Sequence, residues 1–185
     1  MFLKNVRIQN FRNFDDLTVK LEEFSVIIGA NNVGKTNFLD ALGCVFSFAS
    51  ARNVQISNQD FLDPAKPIII DVIFSELTEH DKAAFFHQDG IINPEAGTIF
   101  IRFTSSWNIN EQDVLNECYF LRDDRDKDVR ITNFTRRFKE HVPYFAIPAS
   151  RFANQEIGLS RQNDLGKVMR MFADDYLKPI ETLRR

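Results

Sequence analysis

The stretch Phe24-Ser-Val-Ile-Ile-Gly-Ala-Asn-Asn-Val-Gly-Lys-Thr-Asn-Phe-Leu-Asp-Ala-Leu42 contains Gly29-x-x-x-x-Gly34-Lys35-Thr36, a glycine-rich phosphate loop. Its flanks suit the motif. Val26, Ile27 and Ile28 form an unbroken apolar run, which predicts a strand buried on both faces of a sheet. Beyond Thr36, the residues Phe38, Leu39, Ala41, Leu42, Val45 and Phe46 recur at helical spacing. A strand, a glycine loop and a helix in that order make a concave ring of backbone amides, and the helix start adds its dipole. Gly29 and Gly34 allow turns and close approaches that a Cβ would block. Lys35 supplies a point charge for β- and γ-phosphates, and the Thr36 hydroxyl is a ligand for Mg²⁺. The alternative is a chance match in a turn, which the flanking elements argue against.

Outward from this stretch, composition sets the limits. The chain has 185 residues, enough for one cored domain or a piece of a larger one. With 44% hydrophobic and 26% charged residues it reads as globular, which excludes a disordered chain or a coiled-coil arm. A net charge of -3 gives no global basic field, so contact with DNA needs a local patch or a further region. Cys44 and Cys118 lie far apart without C-x-x-C spacing, and read as reduced thiols of a cytoplasmic protein. His80, His87 and His141 have no metal-ligand spacing. No amino-terminal apolar core of a signal and no apolar run near the membrane-spanning length is present, so no membrane partner is expected.

Before the loop, Val6 and Ile8 alternate with Arg7 and Gln9, and Leu17, Val19 and Leu21 repeat the alternation after the turn Asn13–Asp16. This predicts an antiparallel pair leading into the loop strand. After the loop, Ala49–Lys66 is polar with little periodicity. Pro67-Ile-Ile-Ile-Asp-Val-Ile-Phe-Ser-Glu76 then imitates a Walker B strand, whose Asp holds Mg²⁺. Yet Ile70, Val72 and Phe74 alternate with Ile69, Asp71, Ile73 and Ser75, and no second acid follows Asp71, so a strand with one wetter face is the better reading. Thr78-Glu-His-Asp81 predicts a capping box opening a short helix. Further strands are predicted over Thr98–Phe103 and near Asn116–Leu121, with Trp107 a surface or edge aromatic.

Four later features are weighed in the same way. Asp124, Asp126 and Asp128 have the spacing of the first EF-hand ligands, but Val129 replaces the glycine and Thr135 the bidentate Glu, so a solvated hairpin tip is preferred. The basic run Thr135-Arg-Arg-Phe-Lys139 reads as a solvated helix face, with phosphate contacts as the alternative. Tyr144–Ile147 predicts a short buried strand, and Arg151 just beyond it meets either phosphates or a partner subunit, or else makes an edge ion pair. Leu159-Ser-Arg-Gln-Asn163 echoes the ABC signature loop but lacks its glycines, and is read instead as leading into an amphipathic helix with Leu165, Val168, Met169 and Phe172.

Ile8-Gln-Asn-Phe-Arg-Asn-Phe14 and Gly29-Ala-Asn-Asn-Val-Gly-Lys-Thr-Asn37 resemble the amino-terminal lobe of ABC-type ATPases of the SMC and RecF kind. With Phe145-Ala-Ile-Pro-Ala-Ser-Arg151 added, the chain looks most like the OLD (overcoming lysogenization defect) family, which includes the nuclease subunit of Gabija anti-phage systems. The resemblance implies an α/β fold: an ABC-type ATPase lobe with a mixed sheet, antiparallel strands beside the loop strand, and helices. It implies ATP and Mg²⁺ as cofactors, held by Gly29, Asn31, Asn32, Val33, Gly34, Lys35, Thr36 and Asn37. It also implies that Arg12 and Asn13 lie near the nucleotide, with Arg151 toward the γ-phosphate. Asn31, Asn32 and Asn37 favour this branch over kinases or transporters.

Residues 1–185 are accordingly expected to be the amino-terminal part of an ABC-type ATPase domain, because the signature loop, a Walker B Asp-Glu pair, a switch His and Toprim acids are missing. The chain's end at Glu181-Thr-Leu-Arg-Arg185, without a Gly or Pro stop, reads the same way. The function implied is the ATP-binding lobe of an ATP-dependent DNA endonuclease in anti-phage defence, binding nucleotide with little turnover alone. DNA, a second copy in a homodimer or higher oligomer, and a helicase or defence-system protein are the implied partners. The alternative is a RecF- or SMC-like repair or chromosome-maintenance ATPase without a nuclease.

Overall fold

The computed structural model describes residues 1–49, 56–85, 92–93, 97–108, 111–121, 130–133, 142 and 144, all within the compact unit Met1–Tyr144. Alternation builds its first hairpin. β1 (Phe2–Phe11) and β2 (Phe14–Lys20) run antiparallel, as predicted, with Val6 opposite Val19 and Ile8 opposite Leu17; the turn is shorter than the expected Asn13–Asp16, since Phe14 already pairs with Phe11 and Asp16 with Gln9. The other edge of β1 takes β3 (Ile68–Ser75), which continues to β5 (Thr98–Asn108), β6 (Asp113–Leu121) and β7 (Arg130–Asn133). A two-residue β4 (Ile92–Asn93) adds to β5. The sheet order is β2-β1-β3-β5-β6-β7, and every pairing among the described residues is antiparallel.

Period two sorts the side chains onto two faces. Val6, Ile8, Ile70, Val72, Ile101, Phe103 and Phe120 share one face and form a single core with Phe38, Ala41, Leu42, Val45 and Phe46 of α1 (Lys35–Ala49). The helix therefore buries the apolar stripe read from its sequence, at roughly 1.5–3 kcal/mol for each fully buried large side chain. The opposite face carries a polar row in register: Arg7 beside Asp71, Asp71 beside Arg102, Arg102 beside Tyr119. Arg102 Nε and Nη2 donate to the two Asp71 carboxylate oxygens at 2.7 and 2.8 Å, with Asp71 buried and Arg102 partly so. Asp71 thus lies in an ion pair on the face away from α1, as the alternating-strand reading requires.

α2 (Glu79–Phe85) opens on the predicted box: the Thr78 amide and hydroxyl each donate to Asp81 Oδ2 at 2.8 Å, and the Asp81 amide returns to Thr78 Oγ1 at 3.1 Å. No helix among the described residues is long and apolar enough to cross a membrane.

One expectation is corrected. Residues 24–28 do not form a strand buried on both faces. They precede the loop as unpaired chain, with Phe24 85%, Val26 66% and Ile28 88% exposed. Among the described residues their backbone makes no hydrogen bond with another backbone group. The physical reason is that an apolar run specifies a buried setting but cannot itself provide the neighbouring strands. Trp107, expected as a surface or edge aromatic, is half-buried near the end of β5 and packs partly against the core. The acidic run 123–128, the basic run 135–139, Phe145–Ile147, Arg151 and the segments 159–172 and 181–185 lie outside the described residues.

Candidate phosphate-binding site

The loop 29–34 turns between the exposed segment and α1 by taking left-handed backbone at two places, Asn32 (φ +67°) and Gly34 (φ +105°). Such residues turn successive amides inward and make an anion-binding concavity. Gly34 also sits against the β1–β2 turn: a Cβ there would lie 2.8 Å from Asn13 Nδ2 and 2.8 Å from Phe14 Cζ. The loop can take this position only with glycine.

α1 begins immediately, and its first helical hydrogen bond runs from Phe38 N–H to Gly34 C=O at 2.9 Å. The amides of Lys35, Thr36 and Asn37 therefore have no intrahelical acceptor. Asn31, Asn32, Gly34, Lys35, Thr36 and Asn37 line one cavity of about 640 Å³, within the size range of small-molecule sites. Six of the residues expected at the site are thus brought together. Gly29 and Val33 shape the loop from behind, where a Gly29 Cβ would come within 2.8 Å of Val33 Cγ2. Lys35 Nζ donates to Gly29 O at 2.7 Å and Ala30 O at 2.6 Å, so its charge is held over the loop. Thr36 is exposed on the cavity wall.

Arg12 and Asn13 stand next to the lining residues. Asn13 Nδ2 donates to Val33 O at 3.3 Å, while Asn37 Nδ2 donates to Asn13 Oδ1 at 2.7 Å, so Asn13 ties the loop to the helix. Arg12 adopts φ +50°, a left-handed conformation that costs a non-glycine residue about 1–2 kcal/mol. Its contacts fix it there. Nε donates to Asp60 Oδ1 at 2.8 Å, Nη1 donates to Asn37 Oδ1 at 2.9 Å and to Asp40 Oδ2, and the guanidinium lies 5.0 Å above the Phe11 ring.

Asp40, Asp60 and Phe14 are site neighbours that sequence reasoning missed. Asp60 lies in the stretch read as aperiodic. Its one local clue is Ser57-Asn-Gln-Asp60, which has capping-box spacing and forms a single 3-10 turn at Asn58–Asp60. Burial opposes ionisation of Asp60, but the Ser57 amide, the Arg12 guanidinium and the Ser57 hydroxyl outweigh it and hold the carboxyl below its ordinary pKa. Half-buried Cys44 lies beneath this network, and burial together with the Asp60 charge pushes its thiol up to about 12.

The AAA ATPase domain family matches residues 1–174. Among curated proteins, the chain is 50% identical over 42 residues to Endonuclease GajA of Bacillus cereus, covering 23% of this chain and 7% of that protein. It is 37% identical over 59 residues to the DNA replication and repair protein RecF of Bacillus cytotoxicus, covering 31% and 15%. It is 40% identical over 78 residues to the chromosome partition protein Smc of Desulfitobacterium hafniense, covering 40% and 6%. The chain thus spans only a small part of the length of each of these relatives. A solved chain from work on ATP-driven dimerization and DNA-stimulated activation of SMC ATPases aligns at 19% identity and TM-score 0.46, covering 65% of this chain and 69% of that one.

Proposed function

Since the chain belongs to the AAA ATPase domain family, we propose that its phosphate loop binds ATP with Mg²⁺ and that the chain is the nucleotide-binding lobe of an OLD-type ATP-dependent DNA endonuclease. The observation that carries the nucleotide reading is the shared cavity. Loop residues Asn31, Asn32 and Gly34 and the first residues of α1, Lys35, Thr36 and Asn37, all line it. These groups fit a polyphosphate. Loop and helix amides would take its oxygens, Lys35 would leave the carbonyls of Gly29 and Ala30 for the β- and γ-phosphates, and Thr36 would be a metal ligand. Bound Mg²⁺ would neutralise charge on the phosphate oxygens.

Two observations support residues 1–185 being one part of a larger ATPase domain. No carboxylate lines the cavity among the described residues, and Asp71 is engaged on the far side of the sheet. A base that positions water would then come from elsewhere. The exposed run Phe24–Ile28 also has the composition of a core strand, which suits neighbours supplied from outside the chain.

The endonuclease reading draws on the 50% identity to GajA, and a role in anti-phage defence, a homodimer and a defence-system partner go with it. A second reading, a RecF- or SMC-like DNA ATPase without nuclease, is favoured by the longer 78-residue match to Smc. Incubating the full natural polypeptide with plasmid DNA, Mg²⁺ and ATP separates them. Strand cleavage supports the nuclease, whereas ATP-dependent retention of intact DNA supports the clamp.

A further inference from the structure

We propose that Asp60, outside the phosphate-loop motif, is a positioning residue for the nucleotide site and acts through Arg12. This rests on the nucleotide reading above and adds a residue to it. Asp60 holds Arg12 twice: its carbonyl accepts the Arg12 amide at 2.7 Å, and its Oδ1 accepts Arg12 Nε at 2.8 Å. The carboxylate is itself fixed, because Oδ2 accepts the Ser57 amide at 2.9 Å and the Ser57 hydroxyl at 3.0 Å. The side chain is only 15% exposed, less than half the value for Arg12.

These contacts serve an arginine whose backbone is left-handed and whose fork reaches the cavity wall at Asn37. With Nε on Asp60 and Nη1 on Asn37 and Asp40, the donors of Nη2 have no acceptor among the described residues. An arginine clamped on one side and open on the other is preorganised for an anion. Without Asp60 the same guanidinium would still pair with Asp40 on α1, but its Nε side would be free to swing. A purely structural role for Asp60, joining the 57–63 turn to β1, would lower the melting temperature on Asp60→Asn but leave nucleotide affinity unchanged. The carboxylate aimed at Nε is what the positioning role requires.

The test is a double-mutant cycle on the full natural polypeptide, titrated with a fluorescent ATP analogue and Mg²⁺, with the melting temperature of each variant as a folding control. Arg12→Ala and Asp60→Asn are each expected to weaken binding about tenfold, the loss of one charge-assisted hydrogen bond. The double variant is expected to be no weaker than Arg12→Ala, because Asp60 then has nothing to position. Binding by Asp60→Asn at the wild-type level, or losses that multiply in the double variant, would overturn the proposal. Should Asp60→Asn fold poorly, Ser57→Ala loosens the carboxylate more gently. It is expected to weaken binding in the wild-type background and to have no effect beside Arg12→Ala; equal effects in both would overturn the proposal. Wild-type protein that ignores the analogue, or Lys35→Ala that binds it normally, would instead remove the nucleotide reading itself.

Discussion

Two glycines of the same stretch respond to a methyl group in opposite ways. At Gly34 a Cβ would press on Asn13 and Phe14 and would have to live at φ +105°, whereas at Gly43, inside α1, it would meet nothing within 4 Å. Gly34→Ala should therefore destabilise the protein by about 1–3 kcal/mol and abolish nucleotide binding. Gly43→Ala should stabilise it by about 0.5–1 kcal/mol and leave binding intact. Thermal melts with a parallel titration check both, and equal effects of the two changes would contradict the loop geometry. Cys44 gives a second residue-scale expectation. With its thiol pushed up to about 12 chiefly by burial, it should resist iodoacetamide at neutral pH until the chain unfolds. Gly34, Lys35 and Thr36 were legible because their spacing is local. Phe14, Asp40 and Asp60 were not, because what makes them neighbours is the folding back of distant segments.

At the scale of elements, the Ser57–Asp63 turn is held to β1 by charge, and its pH response has a definite sign. The Asp60 pKa is lowered in the folded state, so its ionised form stabilises the fold fully above the unfolded value, and that contribution is lost as pH falls through the folded value. Between about pH 5 and pH 3 the melting temperature of the wild type should fall more steeply than that of Asp60→Asn. Parallel slopes would show that the carboxylate contributes nothing. The β3–β5 ion pair makes a further case. Asp71→Ala, which leaves the partly buried Arg102 without its carboxylate, should cost about 2–3 kcal/mol. Replacing both partners by Leu and Met should cost much less. Chemical denaturation of the two variants decides it. Alternation revealed β1, β2 and β3 in the sequence, and a three-residue spacing revealed the α2 cap.

For the whole molecule, Phe24–Ile28 is where sequence and structure part. Its composition describes a strand in a core, yet the described residues leave it exposed. If the lobe is completed by more of the natural polypeptide, amides 25–28 should exchange with solvent rapidly in the 185-residue chain and slowly in the full protein. Rapid exchange in both would argue against completion. The claim on which the rest stands is that the cavity at the start of α1 holds a triphosphate with its metal. Isothermal titration with ATP and Mg²⁺ tests it most directly: the wild type should bind with saturable heat and Lys35→Ala at least about tenfold more weakly, whereas equal affinity, or no heat from either protein, would contradict it.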